Sequence, residues 1–191
     1  MRKLMLVLVV IGLLSLPLMA EDNSRFEVFG GYEYLHFGNQ TINGQTVSNS
    51  SEGFNGWNAA GIFNFSRNFG VEGDFGGAYD TTSGVSTHIY TYTGGPVVSA
   101  NLGNIRPFVH ALAGGTHVTG SQFGVSASLN GLTVMAGGGV DFKVNRLFAL
   151  RLIQGDWLYY RFGSTTIDGV AVPTISQSNN VRVSSGIVLR F

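Results

Sequence analysis

The chain has 191 residues, of which 12% are charged, 28 are glycine and none is cysteine. A charge density about half the ~25% of ordinary soluble domains excludes a normal solvated surface, and the lack of cysteine excludes disulfides as a source of stability. Without the N-terminal Arg2 and Lys3 the balance is slightly acidic, which excludes nucleic acid as a partner.

In chain order, the first expected element is a signal peptide over residues 1–20. Arg2 and Lys3 precede an apolar run from Leu4 to Leu14, followed by Ser15-Leu16-Pro17-Leu18-Met19-Ala20, with cleavage expected after Ala20. No cysteine follows the run, which argues against a lipid-anchored lipoprotein. Residues 21–191 form one expected domain. No stretch within it approaches the ~20 apolar residues of a membrane helix, so a membrane reading requires a barrel.

Apolar residues alternate with polar or small ones in eight segments, the period that sends successive side chains to opposite sheet faces. They run from Arg25 to Phe37, Gly56 to Phe65, Phe69 to Tyr79, His88 to Val98, Arg106 to Val118, Leu132 to Val144, Leu147 to Tyr160 and Asn180 to Phe191. The spacing predicts an all-β, eight-stranded antiparallel up-and-down barrel. The connections alternate in length. Gly38 to Asn55, Asp80 to Thr87, Thr119 to Gly131 and Arg161 to Asn179 read as long, solvated loops, whereas Ser66 to Asn68, Ser99 to Ile105 and Asn145-Arg146 read as tight turns. That asymmetry is the outer-membrane pattern, with the tight turns in the periplasm. Phe26, Phe65, Phe69, Phe142, Phe148 and Phe191 fall at one set of strand ends and Tyr34, Trp57, Tyr79, Tyr90 and Tyr159 at the other, as two interfacial belts require.

The last segment places Val181, Val183, Ser185, Ile187, Leu189 and Phe191 on one face, and the chain stops at that phenylalanine. With Phe29-Gly30-Gly31-Tyr32-Glu33-Tyr34 and Gly94-Gly95-Pro96, the chain resembles the small OmpA-type outer-membrane barrels, without room for their peptidoglycan-binding domain. The resemblance implies outer-membrane lipid as surroundings. It also implies Phe191 as the assembly signal read by the barrel-assembly machinery, and an interior filled by side chains.

The expected inner face carries Glu27, Glu33, Glu72, Asp74, His110, Asp141, Lys143, Arg151, Arg182 and Arg190. Buried charges persist when paired, so a structural hydrogen-bonded core is expected, with a narrow ion path as the alternative. At the closing seam Glu27 is expected to face Arg190 and Glu33 to face Arg182. Gln154 and Asp156 break the parity of their strand. Either a bulge at Gly155 turns Asp156 inward, or Asp156 lies above the hydrocarbon.

Of the four histidines, His36, His88 and His117 fall near the outer rim. A symmetric turn between the fourth and fifth segments puts His88 against His117, and His110 against Gly95. Two histidines suit a metal or acid/base chemistry, but no third ligand or base follows from the pattern. No catalytic, cofactor or metal site is therefore expected. The expected function is a structural or surface-interaction role through extracellular loops, where a ligand can bind; a soluble lipocalin-like barrel and a rim-active enzyme are alternatives.

Overall fold

In lipid, a sheet can satisfy every backbone N–H and C=O only by closing on itself. The computed structural model describes residues 24–38, 40–42, 45–47, 53–82, 85–122, 125–163, 165–167, 170–172 and 175–191. The expected signal peptide, residues 1–20, lies outside them. The strands are β1 (Phe26–His36), β2 (Gln40–Ile42), β3 (Gln45–Val47), β4 (Gly53–Asn64), β5 (Phe69–Thr82), β6 (Val85–Ser99), β7 (Ile105–Gln122), β8 (Val125–Lys143), β9 (Phe148–Phe162), β10 (Thr165–Ile167), β11 (Val170–Val172) and β12 (Ile175–Arg190). The long strands pair antiparallel in the order β1-β4-β5-β6-β7-β8-β9-β12, and β12 pairs back to β1, closing an eight-stranded barrel.

The register fixes the shape. Cross-strand partners lead from Asp141 on β8 through Arg151, Gly186, Gly31, Asn58, Gly76, Thr91 and Thr116 back to β8 at Gly131, a stagger of about ten residues. With strands ~4.8 Å apart and a rise of ~3.3 Å per residue, that stagger tilts the strands by roughly 40°. Large apolar side chains such as Phe75, Val109, Leu132, Leu150 and Ile187 are exposed on the outer face, while carboxylates and guanidinium groups are buried inside. This is the inverse of a water-soluble barrel, so the lipocalin-like alternative is set aside.

Two expected loops are strand instead. The β5–β6 ladder continues to Thr82 opposite Val85, and the β7–β8 ladder to Gln122 opposite Val125. Ser, Thr and Gly occupy both faces there, so period two gives no contrast by which to recognise a strand. The connection after β1 carries the β2–β3 hairpin, whose β2 extends the wall beside the outer end of β12, and the connection after β9 carries the β10–β11 hairpin.

The bulge expected in β9 lies at Leu152-Ile153 rather than at Gly155. Val140 faces Ile153 and Asp141 faces Arg151, leaving one extra residue in β9, with Leu152 and Ile153 both exposed. Beyond it the parity is reset, so Gln154 and Asp156 are buried inside.

Candidate functional site

The interior is built in layers, described from the tight-turn end upward. At the mouth, Arg106 at the start of β7 makes an ion pair with Glu27 of β1, and Arg190 Nε lies 3.5 Å from the same carboxylate. Asn64 Nδ2 donates to Glu27 Oε1 (3.1 Å), and Arg106 donates to Ser99 Oγ through Nη2 (2.9 Å). Lys143 occupies an inward position of β8 at this end and is half-buried.

Above this layer the Arg151 guanidinium lies between two rings, 4.4 Å from the centre of Phe29 and 4.2 Å from that of Phe108. It donates to Asp141 Oδ1 (2.8 Å) and Oδ2 (3.2 Å) and to Gln154 Oε1 (2.7 Å). Gln154 passes the network on, donating to Asp156 Oδ2 (2.7 Å).

The central layer converges on Arg182. Its Nε donates to Asp156 (2.8 Å), its Nη1 and Nη2 donate to the two oxygens of Asp74 (2.8 and 3.1 Å), and Glu33 lies 3.6 Å away. Asn58 Nδ2 donates to Asp74 Oδ2 (2.9 Å). His110 bridges Glu72 and Asp156, each 2.8 Å from one ring nitrogen. The ring thereby links Glu72 of β5 to Asp156 of β9 across the bore. The layer is continuous, desolvated and held by charge-assisted bonds.

A fourth layer closes the long-connection half with apolar side chains: Leu35, Phe54, Ala78, Ile89, Leu112, Met135, Leu158, Tyr160 and Phe162, with Phe37, Val118 and Leu129 packed against them.

Several expected pairings are corrected. Glu27 does face Arg190 across the seam, but Arg182 faces Leu35 and Glu33 faces Ser184, so the second pair is diagonal. His88 faces Thr119 and Tyr90 faces His117, and His110 faces Val97 rather than Gly95. The shift arises because the turn centres on the Leu102–Ile105 bridge, with Gly103 in the left-handed region at φ 67°. Arg106 is an interior residue that sequence reasoning left out, and of the two alternatives for Asp156 the inward one holds, with Gln154 inside as well. Arg106 has the parity of His110 on its own strand, which would have found it.

On the outer wall His88 stacks edge-on against Tyr79, with ring centres 5.2 Å apart. His117 Nδ1 lies 2.7 Å from Asn130 Oδ1, and its Nε2 lies 3.2 Å from Thr119 Oγ1. Among the described residues no group of three or more His, Cys, Asp or Glu is placed to hold a metal.

The sequence model of the outer membrane protein beta-barrel domain matches residues 6–187. The chain belongs to that family. It is accordingly a protein of the bacterial outer membrane, with its tight turns on the periplasmic side. Neisserial surface protein A superposes with a TM-score of 0.62 at 10% identity, over 88% of this chain and 98% of that one. Ail, the attachment invasion locus protein of Yersinia pestis, gives 0.49 at 18% identity, over 87% and 99%. No curated protein matches in sequence. At these identities the likeness is one of fold alone.

Proposed function

We propose that this outer-membrane barrel is a closed scaffold that presents its extracellular β-structure to partners outside the cell and conducts no solute through its interior. The observation that carries this reading is the filled bore: Arg151, Arg182, Phe29, Leu112, Met135 and Leu158 are each at most 2% exposed inside a barrel of eight strands. A barrel of this size has little room beyond its own side chains. The charges in the bore are paired with one another, which suits a structural core rather than an ion path. Purified protein in planar lipid bilayers should give no stepwise conductance above the empty membrane. Discrete, salt-dependent openings would overturn the reading.

Outer-membrane lipid is the solvent of the apolar outer face, and the ligand sites are the segments beyond the membrane. Phe191 serves as the assembly signal for the barrel-assembly machinery. Its position supports this: its N–H donates to Phe26 O (2.8 Å) and its carbonyl accepts from Phe26 N (3.2 Å), so the final residue ties the seam at the periplasmic rim. Phe191→Ala should lower the folded outer-membrane level several-fold, read by heat-modifiable gel migration. Wild-type levels would remove Phe191 from that role.

A further inference from the structure

Three neighbouring strands change character close to one cross-strand row. Outward positions of β7 are Ile105, Pro107, Val109, Ala111, Ala113 and Gly115 below it, then His117 and Thr119 above. On β8 the change falls between Leu132 and Asn130, and on β6 between Tyr90 and His88. Tyr90, His117 and Asn130 are register partners, so the change falls within one outward step of the same cross-strand row on all three strands. At ~3.3 Å per residue and a tilt of roughly 40°, His117 stands about 30 Å above Ile105. The apolar band of such barrels is ~25 Å tall, which puts this row at the boundary between outer-leaflet hydrocarbon and headgroups.

At that boundary the side chains are ordered as a relay. Asn130 Oδ1 is an acceptor, so the contact at 2.7 Å requires the proton on His117 Nδ1. In the neutral ring Nε2 is then the bare nitrogen, placed 3.2 Å from the Thr119 hydroxyl to accept its proton. A hydroxyl, a base within hydrogen-bond reach and a third group fixing the base's tautomer are the parts of an activated nucleophile. Threonine and histidine two residues apart on one strand share a face, and the facing strand supplies the asparagine.

We propose that Thr119, His117 and Asn130 form a hydrolytic triad on the outer wall, acting on the acyl esters of lipids at the outer-leaflet boundary. Thr119 Oγ1 attacks the ester carbonyl while His117 Nε2 takes its proton. The tetrahedral intermediate collapses as His117 protonates the departing alcohol, leaving an acyl-threonine. Water, deprotonated by the same nitrogen, then releases the fatty acid and restores the hydroxyl. Backbone N–H groups of the wall are committed to the ladder, so the oxyanion must be held by side chains. His88 and Ser128 occupy the positions flanking Thr119 on β6 and β8 and are the donors available. This activity goes beyond the scaffold role and departs from the expectation of no catalysis.

The test uses full-length folded protein in mixed micelles, with one arm supplying a glycerophospholipid and one lipopolysaccharide. Fatty-acid release is followed in both, along with covalent labelling by an alkyl fluorophosphonate read by intact mass. Release in either arm supports the triad and names the lipid. Thr119→Ala and His117→Phe should each abolish labelling and lower turnover about 100-fold or more, while Thr119→Ser retains both. Asn130 is a positioning residue. Asn130→Leu should lower kcat about tenfold with KM unchanged, and Asn130→Asp, which keeps the acceptor for Nδ1, should restore it. All variants are on the outer surface and should keep heat-modifiable migration. Absence of release in both arms together with absence of wild-type labelling would overturn the proposal, as would turnover that is unchanged in Thr119→Ala.

Discussion

Arg182 gathers the interior charge: Asp74, Asp156 and Glu33 all lie on it, and it is 1% exposed. Removing one partner of such a buried set leaves uncompensated carboxylates, which costs more than the set contributes relative to an apolar replacement. Arg182→Ala should therefore destabilise the barrel by about 3–5 kcal/mol, measured by urea unfolding in micelles. A change within about 0.5 kcal/mol would mean that the surrounding acids are not held by this guanidinium. Most of this layer was legible from parity alone, because Glu33, Glu72, Asp74, His110 and Arg182 each fall on the buried face of a regular strand. The partners were not legible. Tilt carries a long guanidinium across the bore to strands remote in sequence, so Arg182 meets Asp74 of β5, while its register neighbour on β1 is Leu35.

At the scale of the element, β9 shows what one extra residue does. Leu152 and Ile153 both face outward, and this resets the parity so that Arg151 below and Gln154 and Asp156 above all point inward. The sequence announced the need for a bulge, since an acid on a lipid-facing position is costly. Its position was not announced, because glycine is only one of the residues a bulge accepts, and an outward apolar pair leaves no mark in an apolar strand. The same extra residue is counted against both neighbours: β12 pairs Ser184 with Gln154 and Gly186 with Arg151. Deleting Leu152 should therefore yield a regular strand that keeps Arg151, Gln154 and Asp156 inside, and the protein should fold with heat-modifiable migration. Deleting Val134 from the unbulged β8 inverts one side of that strand and should abolish folding. Equal loss of folding in both deletions would show that the bulge is required for more than parity.

For the whole molecule, strand number, antiparallel order and closure were legible because lipid outside and packed charge inside enforce alternation along the membrane-spanning part of every strand. Above the membrane that contrast fades, and there β7 and β8 were read too short. The two strands have 18 and 19 residues, against the roughly 9–11 that a tilted strand needs to cross the hydrocarbon. The interior apolar layer ends at Val118 and Leu129, which face each other across the β7–β8 ladder and pack on the cluster containing Leu112 and Met135. The next inward position of β7 above Val118 is Gly120, which brings no side chain to that cluster. The wall therefore divides at this row into a part stabilised by the bore and an extracellular projection stabilised by its own ladder. Replacing residues 120–127 by a two-residue Asn-Gly turn should leave the barrel inserted, with a thermal midpoint within a few degrees of wild type. Extending the cut to residues 118–129 removes two packed apolar side chains, worth about 1.5–3 kcal/mol each when fully buried, and should lower the midpoint clearly. Partner binding to whole cells should be lost already with the shorter cut if the projection carries it. A shorter cut that prevents insertion would show that the projection is part of the folding unit rather than a display built upon it.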